Sequence, residues 1–216
     1  MEPIDRRVIL GAAGLAGVAA LSKLASAGPL TPPPGPVASS GKTLTEVEPR
    51  IAVNATNTPG NASAQFRITA PGSYYLTGNI AGVAGKTAIE IASSNVSLDL
   101  MGFALLGAPG SLSGVLLTIA AASNISVRNG SVSGFTESGV QLFDPFRAEG
   151  CLLENIEASG NGAMGIGAGV NAVVRACQAH GNGDIGIAAG NNSSIEGCVA
   201  QANSGRGFLV GLTTTI

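Results

Sequence analysis

Two blocks of 21 residues, lying end to end without a gap, constrain this chain more than anything else in it. From Gly165 the sequence runs GIGAGVNAVVRACQAHGNGDI, from Gly186 it runs GIAAGNNSSIEGCVAQANSGR, and a third start follows at Gly207. Val174 falls on Ile195, Cys177 on Cys198, Ala179 on Ala200 and Asn182 on Asn203. A fixed period of this length, with short apolar pairs between Gly and Asn corners, is the mark of a solenoid with one coil per repeat. The frame also extends upstream. Leu153, Ile156 and Asn161 match Val174, Cys177 and Asn182, Val127 matches Leu153, and Asn95-Val-Ser-Leu lies over Asn124-Ile-Ser-Val. Starting glycines are then expected at Gly85, Gly114, Gly139, Gly165, Gly186 and Gly207, giving coils of 29, 25, 26, 21 and 21 residues with the extra length in the corners.

The coils read as strands. Segments such as TAIEI, NVSLDL and VLLTI are short, β-branched-rich, and cut by Gly, Asn and Ser. No stretch after residue 28 keeps a helical period for three turns. One 21-residue coil holds three short strands, at ~3.3 Å per residue, joined by tight turns. The expected fold is therefore all-β, a parallel β-helix of about five coils over residues 85–216. It is expected to be incomplete at the C-terminus, because Thr213–Ile216 stop one strand into a new coil.

Ahead of the repeats, residues 1–27 read as an export signal. Arg6-Arg7 precede a short, weakly apolar run, and Ala25-Ser26-Ala27 forms a small-residue cleavage site, with Lys23 close to it. That combination fits the twin-arginine route, and with it a bacterial protein of the periplasm, cell surface or medium, with no stable membrane span once the signal is removed. In such a cell the triplets at Asn54, Asn95, Asn124 and Asn192 are not glycan sites. Residues 28–44 form a Pro-rich linker. Residues 45–84 are expected to be an N-terminal cap and lead-in strand, since a first coil must cover its apolar end. At the other end, an open apolar edge is expected to favour self-association.

Composition removes several function classes. The chain has 11 basic and 13 acidic side chains; without the three basic and two acidic ones of the signal, 8 and 11 remain. No basic stripe exists to bind nucleic acid. One His and three scattered Cys give no zinc spacing. The G-x-G strings open no helix, so they mark corners and not a dinucleotide site, and no cofactor is implied.

The segments SYYLTGNI and AIEIASSNVSLDLMGFALLG resemble the opening coils of right-handed parallel β-helix proteins of the pectate-lyase-like group, and the similarity covers roughly residues 65–212. The resemblance implies a right-handed coil. It implies little about activity, because that group spans lyases, hydrolases, epimerases and surface proteins. The calcium-binding carboxylate cluster and proton-abstracting basic residue of the lyases, and the paired aspartates of the hydrolases, find no match here, so calcium is expected only if the chain is a lyase.

Three columns of equivalent residues invite a chemical reading. Asp99, Arg128, Glu154, Arg175 and Glu196 alternate in sign over five coils and read as an exposed charge ladder that pins the register. Asn161, Asn182 and Asn203 read as a stack of amides bonded to one another and to turn backbone. Cys177 and Cys198 share a column with Ile156, so they read as inward, free thiols. The insertion at residues 143–149 supplies two aromatics and both charges. It makes Phe143, Phe146 and Arg147 candidate ligand contacts, together with Arg175 and His180. Any general acid and base would come from Asp144, Glu149, Glu154 and Glu157. With low charge, few aromatics and no Trp, the chain is expected to be a non-catalytic glycan-binding or structural surface module with polysaccharide as partner. The alternative is a polysaccharide-active enzyme, a lyase, epimerase or hydrolase on acidic glycans, with its active site in residues 143–157 or in further C-terminal coils.

Overall fold

The computed structural model describes residues 48–143 and 148–216. Residues 1–47, which include the expected signal, the whole linker and the first residues of the expected cap, and Asp144, Phe146 and Arg147 of the insertion lie outside the described residues. Strand β1 (Ile51–Ala52) leads into a first coil of β2 (Ala64–Ile68), β3 (Gly72–Tyr75) and β4 (Ile80–Ala81). The second coil holds β5 (Thr87–Ile91), β6 (Val96–Asp99) and β7 (Ala104–Leu106). Then come β8 (Val115–Leu117) and β9 (Ile125–Ser133), followed by β10 (Val140–Gln141) and β11 (Leu152–Ser159). The fifth coil is β12 (Ile166–Ala168), β13 (Val173–Arg175) and β14 (Gln178–His180). The sixth is β15 (Ile187–Ala189), β16 (Ser194–Glu196) and β17 (Val199–Gln201), and β18 (Phe208–Val210) opens the next. The solenoid thus has about six turns. The turn beyond the expected five is made by β2, β3 and β4, inside the stretch read as cap and lead-in strand.

All pairings between these strands are parallel and join equivalent positions of successive coils. Three vertical positions result. The first runs from β2 to β18, and the second from β1 through β3, β6 and the first halves of β9 and β11 to β13 and β16. The third takes β4, β7, the second halves of β9 and β11, β14 and β17. The expected frame holds in the later coils, where Val174 pairs with Ile195 and Ala179 with Ala200. It slips at one point: Ile89 pairs with Val115, so the residue level with Gly114 is Ala88 and not Gly85. Gly85, at φ +74°, serves the preceding turn instead. At the upstream edge of β2, Pro59 bridges Phe66 antiparallel and the Arg67 N–H donates to the Thr58 carbonyl at 3.2 Å. Residues 58–61 thereby cover an edge that would otherwise template pairing with another chain.

Alternation decides what fills the coil. Tyr74, Leu98, Val127, Leu153, Val174 and Ile195 stack inward in the second position, and Ile89, Val115, Val140, Ile166 and Ile187 in the first; all are buried. Burying each contributes about 1.5–3 kcal/mol. In the third position the inward side chains shrink from Leu105 and Val132 to Ala158, Ala179 and Ala200. Beside them, the asparagine column occupies the interior. Asn182 is fully buried and Asn161 is 1 % exposed. The Asn161 Nδ2 donates to Asn182 Oδ1 at 3.0 Å, and Asn182 Nδ2 to Asn203 Oδ1 at 2.9 Å. Each Nδ2 also reaches a carbonyl of the neighbouring coil: Val132, Ala158 or Ala179.

This ladder explains the glycine period. A Cβ on Gly165 would lie 2.7 Å from Asn182 Nδ2 and 2.7 Å from the Gly186 carbonyl, and one on Gly186 would lie 2.5 Å from Asn203 Nδ2. The glycines that open the coils leave the space the amides fill. The stack ends upstream where Phe135 takes the equivalent place and donates its N–H to Asn161 Oδ1 at 3.2 Å. Of the cysteines, Cys177 is buried, Cys198 is half-buried, and both are free thiols, with the Cys177 N–H donating to Cys198 Sγ at 3.4 Å.

Candidate functional site

The chain bends sharply between the second and third strand positions, and one residue per coil makes the bend. Asn129, Asn155, Ala176 and Gly197 all have φ between +51° and +59°. Asn and Gly tolerate that left-handed conformation best. Each follows a member of the charge column, whose register is Asp99–Arg128–Glu154–Arg175–Glu196 as expected. The outer surface of this bend carries a groove of about 580 Å³, to which Asp99, Asn129, Ser131, Asn155, Glu157 and Gln178 contribute polar groups.

One wall of the groove exists because the second coil is longer here. Asp99 to Ala104 takes five steps, where the paired Arg128 to Ser131 takes three. The extra residues form a tight turn, closed by the Phe103 N–H on the Leu100 carbonyl at 2.8 Å. Met101 and Gly102 sit at φ +55° and +81°, the two left-handed positions a turn of type I′ requires. Gly130 lets this turn approach, since a Cβ there would lie 2.5 Å from the Leu100 Cβ.

Asp99 anchors this end. The ladder reading made it exposed, whereas it is 5 % exposed, because the Leu100–Phe103 turn and Arg50 close over it. Its carboxylate accepts the Met101 N–H at 2.9 Å, Asn129 Nδ2 at 3.1 Å and Arg128 Nε at 3.1 Å, with Arg50 at 3.7 Å. Burial pushes the Asp99 carboxyl up, but these donors outweigh it and hold the group below the usual carboxylate range. The amides then chain along the groove, Asn155 Nδ2 donating to Asn129 Oδ1 at 3.3 Å. Farther along, Glu157 faces His180 Nε2 at 3.1 Å, and beside the groove Arg175 pairs with Glu154 at 2.8 Å.

The residues proposed from sequence are therefore split. Glu154, Glu157, Arg175 and His180 cluster at the bend between the second and third positions. Glu149 stands at a different corner, bridging Ser123 and Val170 and accepting Asn171 Nδ2 at 3.0 Å. Phe143 belongs to another surface again, where it borders a smaller cleft of about 240 Å³ with Val170, Leu209 and Val210. The 143–157 region is thus not a single site among the described residues. Sequence reasoning missed Asn129, Ser131, Asn155 and Gln178. The signal was present one residue after the charge column, where Asn129, Asn155 and Gly197 repeat a left-handed preference.

A stack of parallel coils with three strand positions, an interior amide ladder and corners set by left-handed Asn and Gly defines a β-solenoid. The family model described as "Right handed beta helix region" matches residues 72–216. The chain belongs to the right-handed β-helix family. No curated protein and no solved structure matches it.

Proposed function

We propose that this chain is an exported, non-catalytic repeat module that binds a polysaccharide along the bend between the second and third strand positions. The observation that carries the proposal is the groove there, whose exposed polar groups are mainly amides and a hydroxyl: Asn129, Asn155, Gln178 and Ser131. Such groups donate and accept at once, which suits ligands bearing many hydroxyls. The groove crosses four successive coils, so at ~4.8 Å per coil it is ~14 Å long, room for roughly three sugar rings. The carboxylates beside it are already engaged: Asp99 by four donors, Glu154 by Arg175 and Glu157 by His180. Asp99 in particular is a poor general base, because its donors lower its proton affinity and occupy its lone pairs. Export rests on the N-terminal signal pattern.

The test is a panel of soluble polysaccharides titrated into the chain from Gly28 onward, with binding and product release measured together. Binding without turnover, weakened by Asn155→Ala or Gln178→Ala, supports the module. Turnover abolished by Glu157→Gln would replace it with the enzyme reading, in which Glu157 and His180 form the acid/base pair.

A further inference from the structure

We infer that the groove discriminates by charge and takes a neutral glycan chain in preference to a uronate of the same linkage. The inference rests on the groove binding a polysaccharide at all, and it concerns which one. Two charged side chains line the groove, and both are carboxylates, Asp99 and Glu157. Asp99 stands at one end of the amide row, in the second coil, and Glu157 lies in the fourth, one coil short of Gln178. Asp99 is 5 % exposed and its charge is met by Arg128 at 3.1 Å and Arg50 at 3.7 Å, so the exposed carboxylate of the groove is Glu157. Glu157 faces His180 Nε2 at 3.1 Å, and the nearby guanidinium groups are directed elsewhere. Arg128 and Arg50 direct their guanidinium groups to Asp99, and Arg175 directs its own to Glu154. A chain carrying one carboxylate per sugar would thus meet one exposed like charge, at Glu157, and no guanidinium in the lining of the groove. Amide and hydroxyl groups discriminate little between a neutral sugar and its uronate, so Glu157 sets the sign of the preference.

The experiment compares oligouronates with their carboxyl-reduced neutral counterparts, matched in linkage and length, by calorimetry at pH 8 and two ionic strengths. At low salt the neutral member of a binding pair is expected to bind roughly twofold to threefold more tightly, the effect of one exposed like charge at partly screened distances. Raising the salt should strengthen uronate binding and leave the neutral chain nearly unchanged, because repulsion beyond about 10 Å is screened at 0.1 M. Glu157→Gln should close the gap by improving uronate binding more than neutral binding; the side chain is 55 % exposed, so the substitution leaves packing intact. Uronate bound as tightly as its neutral counterpart at low salt, or weakened by added salt, overturns the charge preference while leaving the groove a glycan site. No binding by either member of any pair overturns the glycan reading itself, and the preference with it.

Discussion

Replacing Asn182 with Ala tests the interior ladder at its most enclosed rung. The side chain makes four hydrogen bonds: Oδ1 accepts from Asn161 N at 3.1 Å and Asn161 Nδ2 at 3.0 Å, and Nδ2 donates to the Ala158 carbonyl at 3.1 Å and to Asn203 Oδ1 at 2.9 Å. Three of the partners have alternatives. Asn161 Nδ2 keeps the Val132 carbonyl, and Asn203 Oδ1 keeps the Asn182 N–H. The Ala158 carbonyl keeps the His180 N–H of the strand ladder, and the Asn161 N–H is left without a partner. A stranded backbone group costs about 1–3 kcal/mol. A water admitted to the vacated polar space recovers part of that, while the other bonds of the rung are lost as well, so the expected loss is ~2 kcal/mol. Asn203→Ala should cost less, ~1 kcal/mol, because that rung is half-exposed and solvent replaces its bonds. Urea unfolding of both variants gives the two values. Hydrogen exchange locates the loss, with the amides of Ile166 and Ile187 losing more protection than that of Ile89, since stability in a solenoid is a sum of neighbouring interfaces. Equal losses for Asn182→Ala and Asn203→Ala, or a loss under ~1 kcal/mol for the first, would refute the ladder as a stabilising element.

Gly165→Ala should cost at least ~2 kcal/mol by the same unfolding measurement, since the added methyl collides with Asn182 Nδ2 and the Gly186 carbonyl. Arg175→Ala should cost no more than ~1 kcal/mol, its pair with Glu154 being largely solvent-exposed, whereas Asp99→Asn should cost ~2 kcal/mol because the carboxylate is buried among charged donors. Acid should unfold the chain partly through Asp99 and Glu90, whose folded pKa values both lie below the ordinary 3.8 and 4.5. The stability they contribute is full above those ordinary values and is lost as pH falls through the lowered folded ones, so unfolding free energy measured from pH 6 to 2 should drop below about pH 4, less steeply in Asp99→Asn.

Much of the architecture was legible because a solenoid writes its register into the sequence. Val174 over Ile195 and Glu154 over Arg175 are both alignments in the chain and strand pairs in the fold. Period 21 survives where corners are short; the slip at Gly85 comes where the corner after β4 is longer and its glycine belongs to the turn. The first coil was harder to read because its strands lie in SAQFRI and GSYY without glycine-opened repeats, so the period gives no frame there. The burial of Asp99 was hidden for another reason. It depends on Arg50, far away in sequence and outside the repeat, and on a turn two residues longer than its counterparts. The groove residues escaped notice because Asn129 and Asn155 lie one position beyond the charge column, where no column was read. Their left-handed backbone fixes the bend, and the same bend turns their amides outward along the groove.

The two asparagine sets show how position in the coil divides structure from recognition. At the turn after the third strand position, the left-handed residue is Gly160, Gly181 or Ala202, and the asparagine that follows points inward, where its amide is consumed by the ladder. At the bend after the second position, the asparagine itself is left-handed and lies at the surface. There Asn155 Nδ2 reaches Asn129 and Asn129 Nδ2 reaches Asp99, which orders the row without burying it. A ligand meeting these amides finds them already held, so little side-chain freedom is lost on binding. The inner ladder fixes the coil spacing, and that spacing sets the interval between the outer amides at ~4.8 Å. Disrupting Asn182 should therefore weaken glycan binding at Asn155 and Gln178 as well as stability, although Asn182 faces away from the groove. In the module proposed here, recognition depends on register, and register depends on residues no ligand touches.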